Sequence, residues 1–328
     1  MCKSARSTGG SKVGRGKGLS QTGRAWVLSE GEVIVEAQDQ FRLLKNRLEP
    51  LKSLDGLRTG SLGTRPCIIH DDHRWVLPII CAAQEAELIP RPVTVVMFDY
   101  HPDNLEPSCL NEIKQLREAG PTVESVIELC KTGLATLDDD WVIAGMELGL
   151  IEHIVTFGAD GRYDYSMRYK SQHQDHLGHI HYLEYPALPK GELAYQGDLS
   201  DLARERELGR LWRILGWRYD RRIGNFQFDT AIPKILLDFD LDCFAVTWRD
   251  YVFPWPDEVF ETEFLSPSNY WTVDGMTGAD FVRGLVKKAG VITIAREPRC
   301  CGDDKKSDII LQKLNEYAFK GGLTLDLK

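Results

Sequence analysis

Three clusters of carboxylates and imidazoles punctuate the sequence: His70-Asp71-Asp72-His73, Asp99-Tyr100-His101-Pro102-Asp103 and Asp238-Phe239-Asp240-Leu241-Asp242. Along extended backbone, alternate side chains leave on the same side, so Asp-x-His-x-Asp turns one imidazole and two carboxylates toward one small volume. Asp-x-Asp supplies two more carboxylates in the same manner. Such a concentration of like charge inside a protein is ruinous unless a cation neutralises it. A donor set rich in oxygen with a minority of imidazoles matches a pair of hard or borderline divalent cations, Mn²⁺ or Mg²⁺, better than sulfur-rich zinc. A single Asp-x-Asp after an apolar strand also serves as a helix cap or turn. The coincidence of three clusters is what points to a metal centre.

All three clusters end apolar runs. Residues 66–70 (PCIIH), 93–98 (VTVVMF) and 234–238 (KILLD) read as buried strands, as do 153–157 and VITIAR at 291–296. Helical patterns lie between them, at 75–88, 110–119, 122–134, 278–290 and 306–318. Alternation of helices with fully apolar strands predicts an α/β protein with a mainly parallel sheet covered on both faces. Such sheets bind ligands in the crevice at the carboxyl ends of their strands, where the three clusters sit. Residues 26–37 (WVLSEGEVIVEA) read as two short strands around a turn, and 158–232 as an irregular insertion with a helix through 200–215.

The formal charge is −9 over 328 residues. Residues 1–24 carry Lys3, Arg6, Lys12, Arg15, Lys17 and Arg24 and no acid, so this segment reads as a basic, solvated, disordered tail and the body holds all the acidic excess. An acidic body argues against nucleic-acid binding and suits a cationic substrate. No apolar run is long enough for a membrane span, and the first residues lack a signal-peptide core. Eight scattered cysteines without a Cys-x-x-Cys pair read as reduced thiols, hence a cytoplasmic protein. His173, His176, His179 and His181 could form a second metal site, although period-2 patterning favours a strand face. Gly14, Gly16 and Gly18 lack the strand and helix of a nucleotide loop.

In order and local context the three clusters resemble the ureohydrolase superfamily of arginases and deacetylases, over residues 65–300. The combination Asp-Asp-His-x-x-x-x-Leu-Pro, Phe-Asp-x-His-Pro-Asp and Leu-Asp-Phe-Asp-Leu-Asp-Cys-Phe is similar to a divergent branch that contains the peptide arginases. The resemblance implies a three-layer α/β/α domain spanning 25–328. It also implies two Mn²⁺ ions held by His73, Asp99, His101, Asp103, Asp240 and Asp242, with Asp103 as proton carrier. Asp238 stands where the family has serine and falls outside that ligand set. The implied reaction converts arginine within a peptide to ornithine and urea. A carboxylate must then hold the guanidinium, Glu297 first and Glu147 second. Asn104-Leu105-Glu106-Pro107 departs from the segments with which arginases grip free arginine, which fits a peptide substrate. The rival readings are a small-molecule ureohydrolase, a deacetylase of the same superfamily (which needs an upstream His-His dyad absent here), a phosphatase using Asp238-Phe239-Asp240 and a non-catalytic peptide-binding scaffold. A homo-oligomer is compatible with all of them.

Overall fold

Fully apolar strands can be satisfied only by burial on both faces, and the sheet shows how that is done. The computed structural model describes residues 30–52, 54, 56–135, 139–158, 172–184, 217–220, 225–228, 234–249, 251–266 and 277–326. In chain order these give α1 (Glu30–Arg47), β1 (Arg58–Leu62), β2 (Arg65–His70), α2 (Val76–Glu85), β3 (Val93–Phe98), α3 (Leu110–Ala119), α4 (Val123–Thr132), α5 (Trp141–Glu147) and β4 (Ile151–Phe157). Then follow β5 (Gln172–Gln174), β6 (Ile180–Glu184), β7 (Trp217–Asp220), β8 (Asn225–Phe228), β9 (Ile235–Asp240), β10 (Ala245–Trp248), β11 (Tyr251–Pro254), α6 (Asp257–Phe260), α7 (Gly278–Lys288), β12 (Ala289–Ala295), α8 (Asp304–Tyr317) and β13 (Leu323–Leu325).

Nine strands form the central sheet in the order β13-β1-β2-β12-β9-β3-β4-β6-β5. The six from β2 to β6 are mutually parallel, and antiparallel strands close both edges. Register aligns the carboxyl ends: Ala295 lies opposite both His70 and Asp240, and Phe98 opposite Phe239. The three clusters therefore emerge along one edge, although β2, β3 and β9 are far apart in sequence. The protein is an α/β fold of three layers, as its alternating pattern predicts.

Alternate residues of each central strand feed opposite cores. Ile68, Val95, Met97 and Leu236 pack with α2, α4 and α5, while Ile69, Val96, Phe98, Leu237 and Phe239 pack with α7, α8 and the rings of Phe260 and Phe264. Phe98 stacks on Phe239 at 4.9 Å between centroids, directly behind the clusters. Burying an aromatic ring of this size is worth roughly 1.5–3 kcal/mol. The clusters thus stand on a dense, fully buried floor.

Residues 38–328 form one compact unit and 1–37 another, of which only 30–37, the start of α1, are described. The strands expected within 26–37 give way to α1 from Glu30 onward. Val33-Ile34-Val35 favours extended backbone locally. Phe41, Leu44 and Leu48 continue the chain at helical spacing, however, and pack on the core, with the two leucines fully enclosed. Tertiary burial of that stripe overrides the local preference. The basic segment 1–24, the Gly14–Gly18 glycines and the expected helix at 200–215 lie outside the described residues. Among the described residues no helix is long and apolar enough to cross a membrane.

Candidate metal centre

β2 delivers His73 on the single helical turn that follows it, β3 delivers Asp99, His101 and Asp103, and β9 delivers Asp240 and Asp242. These side chains meet in one cluster. His73 Nδ1 lies 2.9 Å from Asp103 Oδ2, 3.2 Å from Asp240 Oδ2 and 3.4 Å from Asp99 Oδ2. Despite these distances, neither His73 Nδ1 nor Asp99 Oδ2 has a hydrogen bond of good geometry, and both atoms are buried. Unsatisfied buried polar atoms cost ~1–3 kcal/mol each. Donor atoms about 3 Å apart, aimed at a common point rather than at each other, are what ligands on adjacent corners of an octahedron with ~2.1 Å bonds would show.

A second group adjoins the first. His101 Nδ1 lies 2.9 Å from Asp242 Oδ2, and the His101 amide donates to Asp99 Oδ1 at 2.6 Å. The Tyr100 and Asp242 amides donate to Asp242 Oδ1 and Asp240 Oδ1 at 3.3 and 3.1 Å. Three groups could each hold a cation: His73, Asp99 and Asp240; Asp99, His101 and Asp242; and Asp242, Glu297 and Cys300. Asp99 is common to the first two. The residues present therefore fit divalent cations by donor chemistry and by their unpaired lone pairs.

Electrostatics agree. Burial, reinforced by Asp103 and Asp240, holds Asp99 well above the usual carboxylate range. Burial, with Asp242 and Glu297, does the same to Asp240. Burial opposes charging of His73, yet Asp238, Asp103 and Asp240 override it and raise the imidazole well above its ordinary value. Without a cation this cluster retains protons that a cation would displace.

Asp238, set aside as a ligand, has a role that the sequence did not reveal. Its Oδ2 lies 2.7 Å from His73 Nε2, and the Thr293 hydroxyl of neighbouring β12 donates to Oδ1 at 2.5 Å. A carboxylate accepts, so Nε2 donates to Asp238, and Nδ1, facing the other carboxylates, is the nitrogen that a cation would meet after displacing its proton. Such outer-shell carboxylates orient and strengthen imidazole ligands. Asp238→Asn is expected to weaken Mn²⁺ binding by ~10–100-fold, measured by titration calorimetry, while leaving the fold intact. Unaltered affinity would make Asp238 a packing residue only.

Trp141, at the start of α5, was also missed. Its indole N–H donates to Asp103 Oδ2 at 2.7 Å, and its ring lies 4.9 Å from that of His73. It clamps two candidate ligands at once. A tryptophan 38 positions from Asp103 carries no local signal of such a contact. Two further details mark the site: Asp103 and Glu297 adopt positive φ, 45° and 40°. Left-handed backbone at non-glycine residues costs of order 1–3 kcal/mol and concentrates at functional positions. Gly158, after β4, also has positive φ, and a Cβ there would collide with Cys243 beside Asp99.

Glu297 lies where the sequence reading placed it, two residues beyond β12. It is 8% exposed, and its Oε1 accepts the His73 amide at 3.2 Å. Burial pushes its pKa up to about 7, with His73 opposing and Asp242 and Asp103 adding to the rise. Arg296 does not neutralise it, since that guanidinium turns to Asp71, Asp304 and Asp308. Glu147 is not brought to the centre. It ends α5, at the opposite end of that helix from Trp141, and its carboxylate lies 2.8 Å from His173 Nε2 and 2.5 Å from His176 Nδ1. Asp175 engages His179 Nδ1 at 3.1 Å. The histidine-rich segment thus ties the edge hairpin β5–β6 to α5. In the first cluster, Asp71 pairs with Arg296 and Asp72 with Arg74, while His70 is buried with its pKa lowered to about 4 by burial. The seven described cysteines are free thiols, and Cys300 alone among them is exposed.

No protein-family model matches the sequence, and no curated protein does. Among solved structures, the chain is similar to the crystal structure of Helicobacter pylori arginase at 12% identity, covering 88% of this chain and 81% of that one, with a TM-score of 0.30. A superposition that loose has no bearing on the site, whose geometry stands on its own.

Proposed function

We propose that the chain is a metal-dependent amidinohydrolase that converts arginine within a peptide to ornithine and urea. The observation that carries this reading is the convergence of His73, Asp99, His101, Asp240 and Asp242 in two adjoining groups, with Asp103 2.9 Å from His73 and a buried Glu297 carboxylate beside them. His73, Asp99, Asp103 and Asp240 would hold one Mn²⁺, and Asp99, His101, Asp240 and Asp242 a second. Bound cations would supply a water acidified enough to act as a nucleophile near neutral pH.

The remaining work falls to side chains. Glu297 offers a planar carboxylate to a planar guanidinium, a pairing that can be bidentate and offsets the repulsion between a cationic substrate and cations. Water adds to the guanidinium carbon, and the bond from that carbon to the side-chain nitrogen breaks. Asp103 carries the proton lost by the water to the departing nitrogen. The indole of Trp141 holds Asp103 Oδ2, so Oδ1 is the oxygen assigned to this transfer. Atoms balance: the guanidinium and one water become urea and a primary amine.

A peptide is favoured over free arginine because Asn104-Leu105-Glu106-Pro107, after Asp103, departs from the segments with which arginases grip free arginine. Incubating the Mn²⁺-loaded protein with arginine-containing peptides should release urea and convert arginine to ornithine by mass spectrometry. Faster turnover of free arginine than of every peptide offered would overturn the peptide assignment.

A further inference from the structure

The hairpin β10–β11 leaves the turn that carries Asp242 directly, with Val246 four residues after it. Its register pairs Val246 with Phe253 and Trp248 with Tyr251. These four side chains share one face and are 45%, 48%, 61% and 61% exposed. The hairpin base is rigid. The Trp255 amide donates to the Phe244 carbonyl at 2.9 Å, and the two rings meet edge to face within the aromatic core. On the other face, Val252 lies against Gly302, in the turn that follows Glu297 and Cys300. An anchored aromatic ledge thus flanks the loop that carries the proposed guanidinium carboxylate. Contiguous exposed apolar surface of this kind marks interaction sites.

Resting on the peptide reading above, we infer that this ledge docks the substrate chain beside the modified arginine. Two cations sit on its rings: the Arg249 guanidinium 4.7 Å from the Trp248 centroid, which is the one offered to an incoming carboxylate, and Lys306 Nζ, already 3.5 Å from Asp303 Oδ2, 5.9 Å from that of Phe253. The occupant is therefore a peptide segment with apolar or aromatic side chains accompanied by a carboxylate, while the acidic centre takes the arginine. An extended chain advances ~3.3 Å per residue. The ledge starts four residues from Asp242, so the docked side chains lie several positions from the arginine.

The test uses the full-length Mn²⁺-loaded protein and fluorescently labelled synthetic peptides with Phe-Leu-Asp placed about four to six residues to either side of a single arginine. Controls are the same peptides with Ser-Ser-Ser in that place, and acetyl-Gly-Arg-Gly-amide. Wild type should prefer one Phe-Leu-Asp peptide over its Ser-Ser-Ser control by roughly tenfold in Kd by anisotropy. The Trp248→Ser/Tyr251→Ser variant should lose that preference and raise KM for this peptide alone, with kcat and the tripeptide unaffected. If the double variant does not fold, Trp248→Thr is read in the same way. Equal binding by wild type and variant, or equal loss for all peptides, overturns the ledge. So does a wild-type dimer by light scattering that the variant converts to monomer, because a second copy would then cover this face. If wild type releases urea from none of the peptides, the amidinohydrolase reading fails, and the anisotropy arm still decides the ledge.

Discussion

Asp99→Asn and Asp240→Asn are expected to abolish stoichiometric Mn²⁺ binding and to reduce urea release by at least about 10³-fold, the scale expected when a group acting as part of a catalytic unit is removed. Each substitution keeps size and removes the charge that a cation needs. Asp99 is common to two of the three candidate groups, so its loss should affect both positions, whereas Asp242→Asn should spare the first. Elemental analysis after gel filtration reads the result directly. Full metal content in both Asp99→Asn and Asp240→Asn would refute the centre. A pH signature accompanies it. Asp99 and Asp240 are held above their ordinary 3.8, chiefly by burial, and His73 above 6.5 despite burial. Groups with raised folded pKa stabilise the metal-free fold at low pH, and that stability is lost as pH rises through their folded values. The Tm increase on adding Mn²⁺ should therefore be larger at about pH 8 than at about pH 5.5, because the ions replace protons lost from the cluster.

Glu297→Gln should lower kcat/KM for an arginine peptide on the order of 10²-fold or more while retaining metal, as for a buried charge-assisted pair. The physical basis is its placement: 8% exposed, bonded to the His73 amide and left unneutralised by Arg296. Glu147→Gln serves as the contrast. Its carboxylate lies against His173 and His176, so turnover should stay within a few-fold of wild type, while hydrogen exchange at β5 and β6 should quicken as that tie is cut. A few-fold effect at Glu297 would mean that another group holds the guanidinium.

Glu147 and Glu297 illustrate where local reading stops. Glu147 stands in an apolar stretch and Glu297 among arginines at the end of a strand, and these local surroundings do not rank them decisively. β12 lies beside both β2 and β9, which puts Glu297 next to His73, whereas Glu147 lies at the far end of α5 from Trp141. Likewise Val33-Ile34-Val35 has a strand-like composition, yet α1 runs through it because Leu44 and Leu48 farther along reach the core.

The sequence by itself determined the α/β class and the strands β2, β3, β9 and β12, and it put forward six candidate ligands through the resemblance that its three acidic clusters carry. Apolar runs and alternating acidic spacing are local properties, and local geometry turns them into strands that end in convergent side chains. Tertiary structure decided the partners of those ligands: Asp238 and Thr293 behind His73, Trp141 on Asp103, and the aromatic hairpin that follows Asp242. It also took Glu147 away from the centre. Each of these contacts joins residues tens to hundreds of positions apart. Sheet order and helix packing alone bring such residues together, and neither is written in the spacing of any one segment.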